Sequence, residues 1–509
     1  MNSGASGLLV TEPPLTKDRR SHSRQHLVLL LGVGLVYLLI FCQAIPAFVD
    51  EAYSFNLASD KSLRHMFSAL RNGADGSFPL YALLVFGWEK VFGSSELSLR
   101  LNSCLFVLLF VWQTNRRLSV RFGPAIAALT LLFVVANKIL TYYALQARFY
   151  GLVIFLFSLC FWSTWDLLQS QPAPRKRQIL HALICGLLCV SHPLGLIYTG
   201  ILAVLYVGFS WVLKRFSFSN SLSFLGGPAL FLLWLPSFLS QRLVNPVYDN
   251  RLLVPGWYKY WQFVFFDDML LFLTCLAGLV LFALGQWCSG AGQKKELIGT
   301  DAKEERVDHF SRTVLISYSL AFILSLNLIL ALLDAFRIIP VYWMLAVRYV
   351  LVCWAAYCPV IAMSLKGIVS MVQRNCTPRW KPRVERIQYF AVAAGLLVLL
   401  EAHWGEWFKA RASELAYLGK ISKIAGEKHL PVVCESHWDA FYLATRTSTE
   451  RVAYILQDDF AYKKLMLQIA KYYPRPEPIS PTEERNRTNE FVYLTDSPKE
   501  ARIVTPTKR

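Results

Sequence analysis

Charged residues are scarce in this chain and account for only 17% of its 509 residues, whereas soluble domains carry about 25%. Hydrophobic residues make up 55% of the chain, which excludes an intrinsically disordered protein. The GxGxxG, Walker and HExxH patterns of nucleotide-binding proteins and zinc proteases are also missing from the sequence. A membrane protein is the class that fits this composition best.

The eleven cysteines do not form a recognisable disulfide framework, because most of them lie inside apolar runs and the C-terminal region contains only Cys434. Cysteines in apolar runs behave as small hydrophobic residues. The spacings of Cys185 with Cys189 and of Cys353 with Cys358 differ from the CxxC spacing of metal and redox sites. We therefore expect the cysteines to serve in packing.

Apolar runs that approach the length of a membrane helix, about 20 residues, occur about eleven times in the sequence. The predicted spans are 26–48, 99–114, 123–139, 149–168, 179–192, 194–213, 222–240, 263–286, 313–333, 345–364 and 388–402. The fifth and sixth form one apolar block divided by His192-Pro193, which predicts a short hairpin. The fold class is therefore an all-α polytopic membrane protein.

Lysine and arginine outnumber the acidic residues and give the chain a formal net charge of +18. In a soluble protein this excess would indicate nucleic-acid binding, but here the basic residues concentrate in alternate loops between apolar runs, and we expect no nucleic-acid partner. By the positive-inside rule the basic tail 1–25 is cytoplasmic. An odd number of spans then makes 26–402 the membrane domain and places 403–509 outside.

Two long segments lie on the predicted outer side, the first loop 49–98 and the tail 403–509. Residues 60–73 and 79–93 of the loop are amphipathic and predict helices lying in the membrane interface; a poor transmembrane span is the alternative for 79–93. In the tail, short β-branched runs alternate with helical pieces, which predicts a small α/β domain. Its proline-rich segment 474–489 predicts an irregular connection.

Asp50 and Glu51 open the first loop, at the depth where a lipid head group would lie. A carboxylate in this position can act as a general base toward an acceptor hydroxyl, and partial burial with a like-charged neighbour would raise its pKa. The alternative is an ordinary helix start, where acidic residues are favourable.

The first loop resembles the signature of the GT-C membrane glycosyltransferases, which include protein O-mannosyltransferases, the aminoarabinose transferase of lipid A and the Rgt-type enzymes. The resemblance begins with Asp50-Glu51, Phe78-Pro79-Leu80-Tyr81 and the segment 92–103. It continues in the same order through Tyr142-Tyr143, Gln146-Ala147-Arg148-Phe149-Tyr150, Ser191-His192-Pro193 and Arg348-Tyr349. It covers roughly residues 45–365.

The resemblance implies a GT-C-like fold and a sugar donor linked to a polyprenyl phosphate. The acceptor would be a glycan, lipid or protein on the extracytoplasmic face, and the anomeric carbon would be inverted. Asp50 would be the catalytic base, and Glu51 would orient the acceptor or bind a metal.

The resemblance also assigns binding residues. For the donor phosphate Arg148 is the first candidate, because a planar guanidinium can bind two phosphate oxygens. The other phosphate candidates are Arg348, Tyr143 and His192, and the substrate-binding candidates are Tyr81, Tyr142, Tyr150 and Gln146. As alternatives, either arginine could extend to the interface from a helix end, and His192 could be a turn residue.

Two positions depart from the family pattern. Phe78 stands where many relatives carry histidine, and Gln146 stands where many carry an acid. The sequence therefore leaves two points open, which are the type of acceptor and whether the reaction needs a metal ion, with Mg²⁺ or Mn²⁺ as the candidate.

The alternative functions are a degenerate non-catalytic member, a transporter or lipid flippase, and a scaffold that binds partners through the tail. The expected location is the bacterial cytoplasmic membrane with an outward-facing site; the endoplasmic reticulum membrane is the alternative.

Overall fold

The computed structural model describes residues 50–135, 137–170, 172–244, 300–335 and 351–375. It also describes short segments and single positions among residues 32–43 and 405–504. Within these parts the chain is a bundle of helices followed by a small sheet. The helices are α1 Glu51–Ala58, α2 Leu63–Arg71, α3 Pro79–Phe92, α4 Glu96–Phe122, α5 Pro124–Val135, α6 Lys138–Leu145, α7 Tyr150–Gln169, α8 Arg175–Cys189, α9 Gly195–Val212, α10 Phe218–Leu222, α11 Gly226–Val244, α12 Thr300–Ala335 and α13 Cys353–Asn375.

Five helical stretches of the described residues are long and apolar enough to cross a bilayer. They are Glu96–Phe122, Tyr150–Gln169, Gly195–Val212, Phe218–Gln241 and Phe310–Leu330, and shorter apolar stretches cover Pro124–Val134 and Cys353–Val369. These stretches and α8 occupy eight of the predicted spans, and the chain is an integral multi-pass membrane protein. The predicted spans 263–286 and 388–402 lie outside the described residues, and 26–48 is described only at a few helical positions.

One predicted span is shorter than expected. The apolar run 123–139 forms α5, which ends at Val135. The Asn137 side chain then accepts a hydrogen bond of 2.9 Å from the Leu140 backbone N–H and begins α6. The predicted hairpin at His192-Pro193 is confirmed, since α8 ends at Cys189 and α9 begins at Gly195.

The core lies where α4, α7, α8 and α9 pack together, with the fully buried Trp162, Trp165 and Tyr198 among its largest side chains. Helices α8 and α11 approach each other closely because Gly226 faces the backbone of Ala182, where a β-carbon would collide with it. Small residues allow such close approach of membrane helices.

The first loop contains the two predicted helices, α2 and α3, preceded by α1. Ser62 caps α2 by accepting a hydrogen bond from the His65 N–H, and Met66, Ala69 and Leu70 form its buried face. Pro79 stands at the start of α3, where its missing N–H costs nothing.

The tail contains strands β1 Val432–Cys434, β2 Val452–Ile455, β3 Glu477–Ile479, β4 Phe491–Leu494 and β5 Ala501–Val504. These strands form one sheet in the order β3-β2-β1-β4-β5, parallel except for the antiparallel β4–β5 pair. The expected irregular connection at 474–489 is wrong for 477–479, which form an edge strand. Pro478 is tolerated there because an edge strand has one side without sheet partners.

Candidate active site

Glu51 lies in a buried ion pair with Arg100 of α4. Its two carboxylate oxygens accept hydrogen bonds from Arg100 Nε at 2.8 Å and Nη2 at 2.7 Å. Both residues are almost fully buried, so the pair joins α1 to α4 in a low-dielectric setting where each charge depends on the other.

Arg100 has further partners. Its Nη1 donates to the Cys42 carbonyl at 2.8 Å and lies 2.9 Å from Glu96 Oε1. Glu96 in turn accepts two hydrogen bonds from Arg411 in the first segment of the tail. The residues Glu51, Glu96 and Arg100, which carry much of the family resemblance, therefore hold the first loop, α4 and the tail together.

The chain breaks its helical course between α6 and α7, over residues 146–149. The Ala147 N–H donates to Glu51 Oε1 at 2.7 Å, and the Ser103 hydroxyl donates to the Gln146 carbonyl at 2.6 Å. These bonds fix an irregular backbone that would otherwise leave polar groups unpaired. The break carries Arg148, so Glu51 and Ser103 determine where this arginine lies.

Arg148 is a buried cation with unused donors. It is 7% exposed, and among the described residues its Nε and Nη1 have no hydrogen-bond partner. Its guanidinium lies 5.8 Å from the Tyr53 ring and 5.1 Å from the Phe149 ring. Burial lowers the pKa of Arg148, but the negative charges of Asp75 and Asp50 outweigh this effect and raise it above its ordinary value. The site therefore holds a permanent positive charge that can receive an anion.

Asp75 is a site residue that the sequence reasoning missed. It is 3% exposed, and its Oδ1 accepts a hydrogen bond of 2.6 Å from the Ser77 N–H. Its Oδ2 is buried without a hydrogen-bond partner in the described parts of the chain. Burial raises the pKa of Asp75 above its ordinary value, although the Arg148 charge opposes the shift. The available signal was an acid between two glycines, shortly before Phe78-Pro79.

Asp50 is the residue before α1 and is half-buried. Within the described residues its side chain makes no capping hydrogen bond to α1. Asp50 acts electrostatically on both Arg148 and Asp75. The structure thus brings together Asp50, Asp75 and Arg148.

Gln146 and Tyr81 lie beside this cluster. Gln146 is fully buried, and neither polar atom of its side-chain amide has a hydrogen-bond partner within the described ranges. The Tyr81 hydroxyl donates to Ser54 at 3.1 Å, and its ring packs edge-on against Phe149. Tyr81 therefore supports the wall of the site.

His192 and Tyr150 border an apolar cavity next to Arg148. The cavity is small, with a volume of about 10 Å³, and is lined by Phe149, Tyr150, Val153, Ile154, His192, Tyr198, Leu351 and Val352. The His192 ring lies 4.6 Å from the Phe149 ring, and its Nδ1 accepts a hydrogen bond from the Leu194 N–H. Because Phe149 also contacts the Arg148 guanidinium, the cavity adjoins the charged cluster.

Tyr142 and Tyr143 form an aromatic row that leads from Tyr150 to the tail. Ring centroids are 5.9 Å apart for Tyr143 and Tyr150 and 5.1 Å apart for Tyr142 and Tyr143. Tyr142 then lies 6.1 Å from Trp407. The remaining phosphate candidate, Arg348, lies outside the described residues.

The carboxylate of Glu51 does not suit a divalent cation. Both of its oxygens already bind the positive Arg100 guanidinium, and a second cation there would be repelled.

The chain is similar to two solved structures at low sequence identity. The first is ArnT from Cupriavidus metallidurans bound to undecaprenyl phosphate, with a TM-score of 0.54, 14% identity and 92% of each chain covered. The second is the same enzyme in the apo state, with a TM-score of 0.52, 13% identity and 92% of each chain covered. The chain has the GT-C fold. The predicted fold resemblance is thereby confirmed. No protein-family model matches the chain, and no curated protein matches it by sequence.

Proposed function

We propose that this chain is a membrane glycosyltransferase that moves a sugar from a polyprenyl-phosphate donor to a glycan, lipid or protein acceptor. The observation that carries the proposal is Arg148, a buried guanidinium with two nitrogens that have no partner among the described residues, under the electrostatic influence of Asp75 and Asp50. Likeness in fold to a transferase bound to undecaprenyl phosphate supports the same donor class.

The donor phosphate would bind at Arg148. A guanidinium recognises phosphate oxygens through charged hydrogen bonds, and an arginine already desolvated by the fold loses little further hydration on binding. Asp75 and Asp50 keep Arg148 charged while no anion is present. When the sugar leaves, negative charge grows on the polyprenyl phosphate, and a pre-placed cation stabilises this charge in the transition state.

The isoprenoid tail would lie along the apolar residues around the small cavity next to Arg148. These residues include Val153, Ile154, Leu351 and Phe149, whose ring contacts the Arg148 guanidinium. Apolar side chains beside a buried cation match a lipid with one anionic head group. Tyr150 and His192, at the polar border, would contact the phosphate or the first isoprene unit.

Asp50 would be the general base. It is half-buried and therefore within reach of an acceptor, whereas Asp75 and Glu51 are almost fully buried. Asp50 would take the proton of the acceptor hydroxyl as its oxygen attacks the anomeric carbon. The carbon–phosphate-oxygen bond breaks on the opposite face, so the sugar is inverted and the free polyprenyl phosphate leaves. Glu51 has a positioning role through Ala147 and Arg100.

The proposed location is the bacterial cytoplasmic membrane with the site on the outer side. The contact of Trp407 with Tyr142 and the bonds of Arg411 to Glu96 support one common side for the first loop and the start of the tail. This placement agrees with the distribution of basic residues in the loops.

The test compares glycolipids and glycoproteins of cells with and without this protein by mass spectrometry, and then restores the protein as variants. We expect wild type and Glu89→Gln to restore the missing sugar and Asp50→Asn to reduce it by about 100-fold or more, the usual contribution of a general base. Glu89 is the matched control because it is an acidic residue of the same loop that pairs with Lys90 and has no role in the proposed reaction. An immunoblot of the membranes checks that each variant is present at the wild-type level.

Full restoration by Asp50→Asn would show that Asp50 is not the base. An unchanged glycan profile on removal of the protein, together with polyprenyl-phosphate translocation in proteoliposomes, would replace the transferase proposal by the flippase alternative.

A further inference from the structure

Two cysteines and a histidine meet in the helical core, apart from the cluster around Arg148. Cys160 lies on α7, and His181 and Cys185 lie one turn apart on α8. All three are buried, and their sulfur and nitrogen atoms lie within 4.8 Å of one another. Neither the proposed transfer reaction nor the packing role expected from the sequence accounts for this convergence.

The distances match those between ligands of one tetrahedral metal ion. The Cys160 and Cys185 sulfurs are 3.5 Å apart, and the Cys185 sulfur is 3.4 Å from His181 Nε2. Zinc bonds of about 2.3 Å to sulfur and about 2.0 Å to nitrogen would place tetrahedral ligands about 3.5–3.8 Å apart. A small adjustment of the side chains would suffice to hold the ion.

The histidine is oriented for ligation. Ser163 Oγ donates its hydrogen to the Cys160 carbonyl at 3.0 Å and lies 2.7 Å from His181 Nδ1. Because the hydroxyl has only one hydrogen, it accepts from Nδ1–H, and the Nε2 lone pair then faces the two sulfurs. Metal-binding histidines are commonly held in this way by a bond to the other ring nitrogen.

We propose that Cys160, His181 and Cys185 form a zinc site that ties α7 to α8. Charge favours Zn²⁺ over Cu⁺, because two thiolates and a neutral imidazole give a neutral complex with Zn²⁺ and a negative one with Cu⁺. A net charge is costly among the apolar neighbours, such as Phe224, whose ring lies 4.5 Å from the His181 ring. Binding releases the two thiol protons, and a water molecule would complete the tetrahedron.

The first experiment measures metal content. Full-length protein with a non-histidine affinity tag is purified in detergent with a thiol reductant, incubated with zinc sulfate, dialysed and analysed by inductively coupled plasma mass spectrometry. We expect wild type to retain one zinc ion more per chain than Cys160→Ser/Cys185→Ser and His181→Gln. The matched controls Cys189→Ser and Cys358→Ser remove buried cysteines outside the cluster and should retain the ion.

The second experiment uses only the wild-type protein, so its result does not depend on whether the variants fold. Wild-type protein, with and without zinc, is exposed to a small alkylating reagent in a urea concentration that opens the helical core of the zinc-free protein, and modified cysteines are quantified by peptide mass spectrometry. We expect zinc to protect Cys160 and Cys185 selectively. Co²⁺ in place of zinc should give the visible bands of tetrahedral thiolate coordination.

Equal zinc content in all variants, or equal alkylation of Cys160 and Cys185 with and without zinc, would overturn the proposal. A Cys160–Cys185 disulfide in protein purified without reductant, combined with no zinc uptake after reduction, would assign the pair to redox chemistry instead.

Discussion

Arg100 and Arg148 are two buried arginines at the same end of the bundle, and they differ in how their donors are used. Arg100 bonds Glu51 twice, lies against Glu96 and donates to the Cys42 carbonyl. Arg148 has two nitrogens without a partner among the described residues. This difference supports a structural role for Arg100 and the role proposed above for Arg148, the binding of an anion. This distinction depends on which residues each arginine contacts in the folded protein. The short sequence motif around each arginine does not give that information.

The largest effect is expected from Arg100→Met. The substitution leaves the Glu51 carboxylate, which is 2% exposed, without its counter-ion. Breaking a buried pair in this way costs about 3–5 kcal/mol. Thermal unfolding in detergent should show a large fall in melting temperature. A melting temperature close to wild type would mean that Arg100 is not needed to hold α1 against α4. Arg117→Met is the control, because the side chains of its pair with Asp166 are 30% and 25% exposed.

Arg148→Lys should reduce transfer and leave stability almost unchanged, in contrast to the large loss of stability expected for Arg100→Met. The positive charge stays beside Asp75 and Asp50, so the melting temperature should change little. The planar fork that would hold phosphate oxygens is lost, and transfer should fall about 100-fold or more, as for loss of one transition-state donor. Binding of undecaprenyl phosphate, measured by native mass spectrometry, should weaken in parallel. Full binding by the lysine variant would assign the phosphate to other residues.

Asp75→Asn tests the acid that accompanies Arg148. Burial raises the pKa of Asp75 from its ordinary value of 3.8, so the folded state holds this proton more tightly than the unfolded state. Its contribution to stability is full below pH 3.8 and is lost as the pH rises through the raised pKa. The asparagine variant should therefore melt above wild type at neutral pH, and the difference should shrink toward pH 4. Melting temperatures across this pH range provide the measurement, and a difference that grows in acid would contradict the assignment.

The smallest effect is expected at the opposite end of α4 and α7. Arg117 donates to Asp166 through Nη1 at 2.9 Å and Nη2 at 2.7 Å, but both side chains are partly exposed. A double-mutant cycle with Arg117→Met and Asp166→Asn should give a coupling of about 0.2–1 kcal/mol and leave transfer unchanged. A coupling energy of about 3–5 kcal/mol, the size expected for breaking a buried pair, would show that Arg117 and Asp166 are less solvated than their exposure indicates.

The membrane helices were largely predictable from sequence, because an apolar run of sufficient length has few alternatives in a bilayer. The runs at 99–114, 149–168 and 194–213 all lie within helices. The β-branched runs of the tail likewise became strands. The edge strand at Pro478 was missed because proline usually indicates a break in a strand. The order of the strands could not be predicted because it depends on pairing between segments that are distant in sequence.

The site was predictable only in part. Asp50 and Arg148 followed from the family resemblance, and the structure brings them into one cluster, although their catalytic roles stay predictions. The position of Glu51 beside Arg100 could not be predicted, since it depends on the packing of α1 against α4. Asp75 was missed because an acid in a glycine-rich turn is common in solvated loops, and its burial arises only in the fold.

The bond from Ala147 to Glu51 also has a consequence for biogenesis. The two residues are 96 positions apart, whereas Arg100 follows Glu51 by 49. As the nascent chain enters the membrane, Glu51 can therefore meet its counter-ion before the backbone that carries Arg148 has been synthesised. The part of the candidate site around Glu51 and Arg100 would be assembled first, and the segment that carries Arg148 would then fold against it.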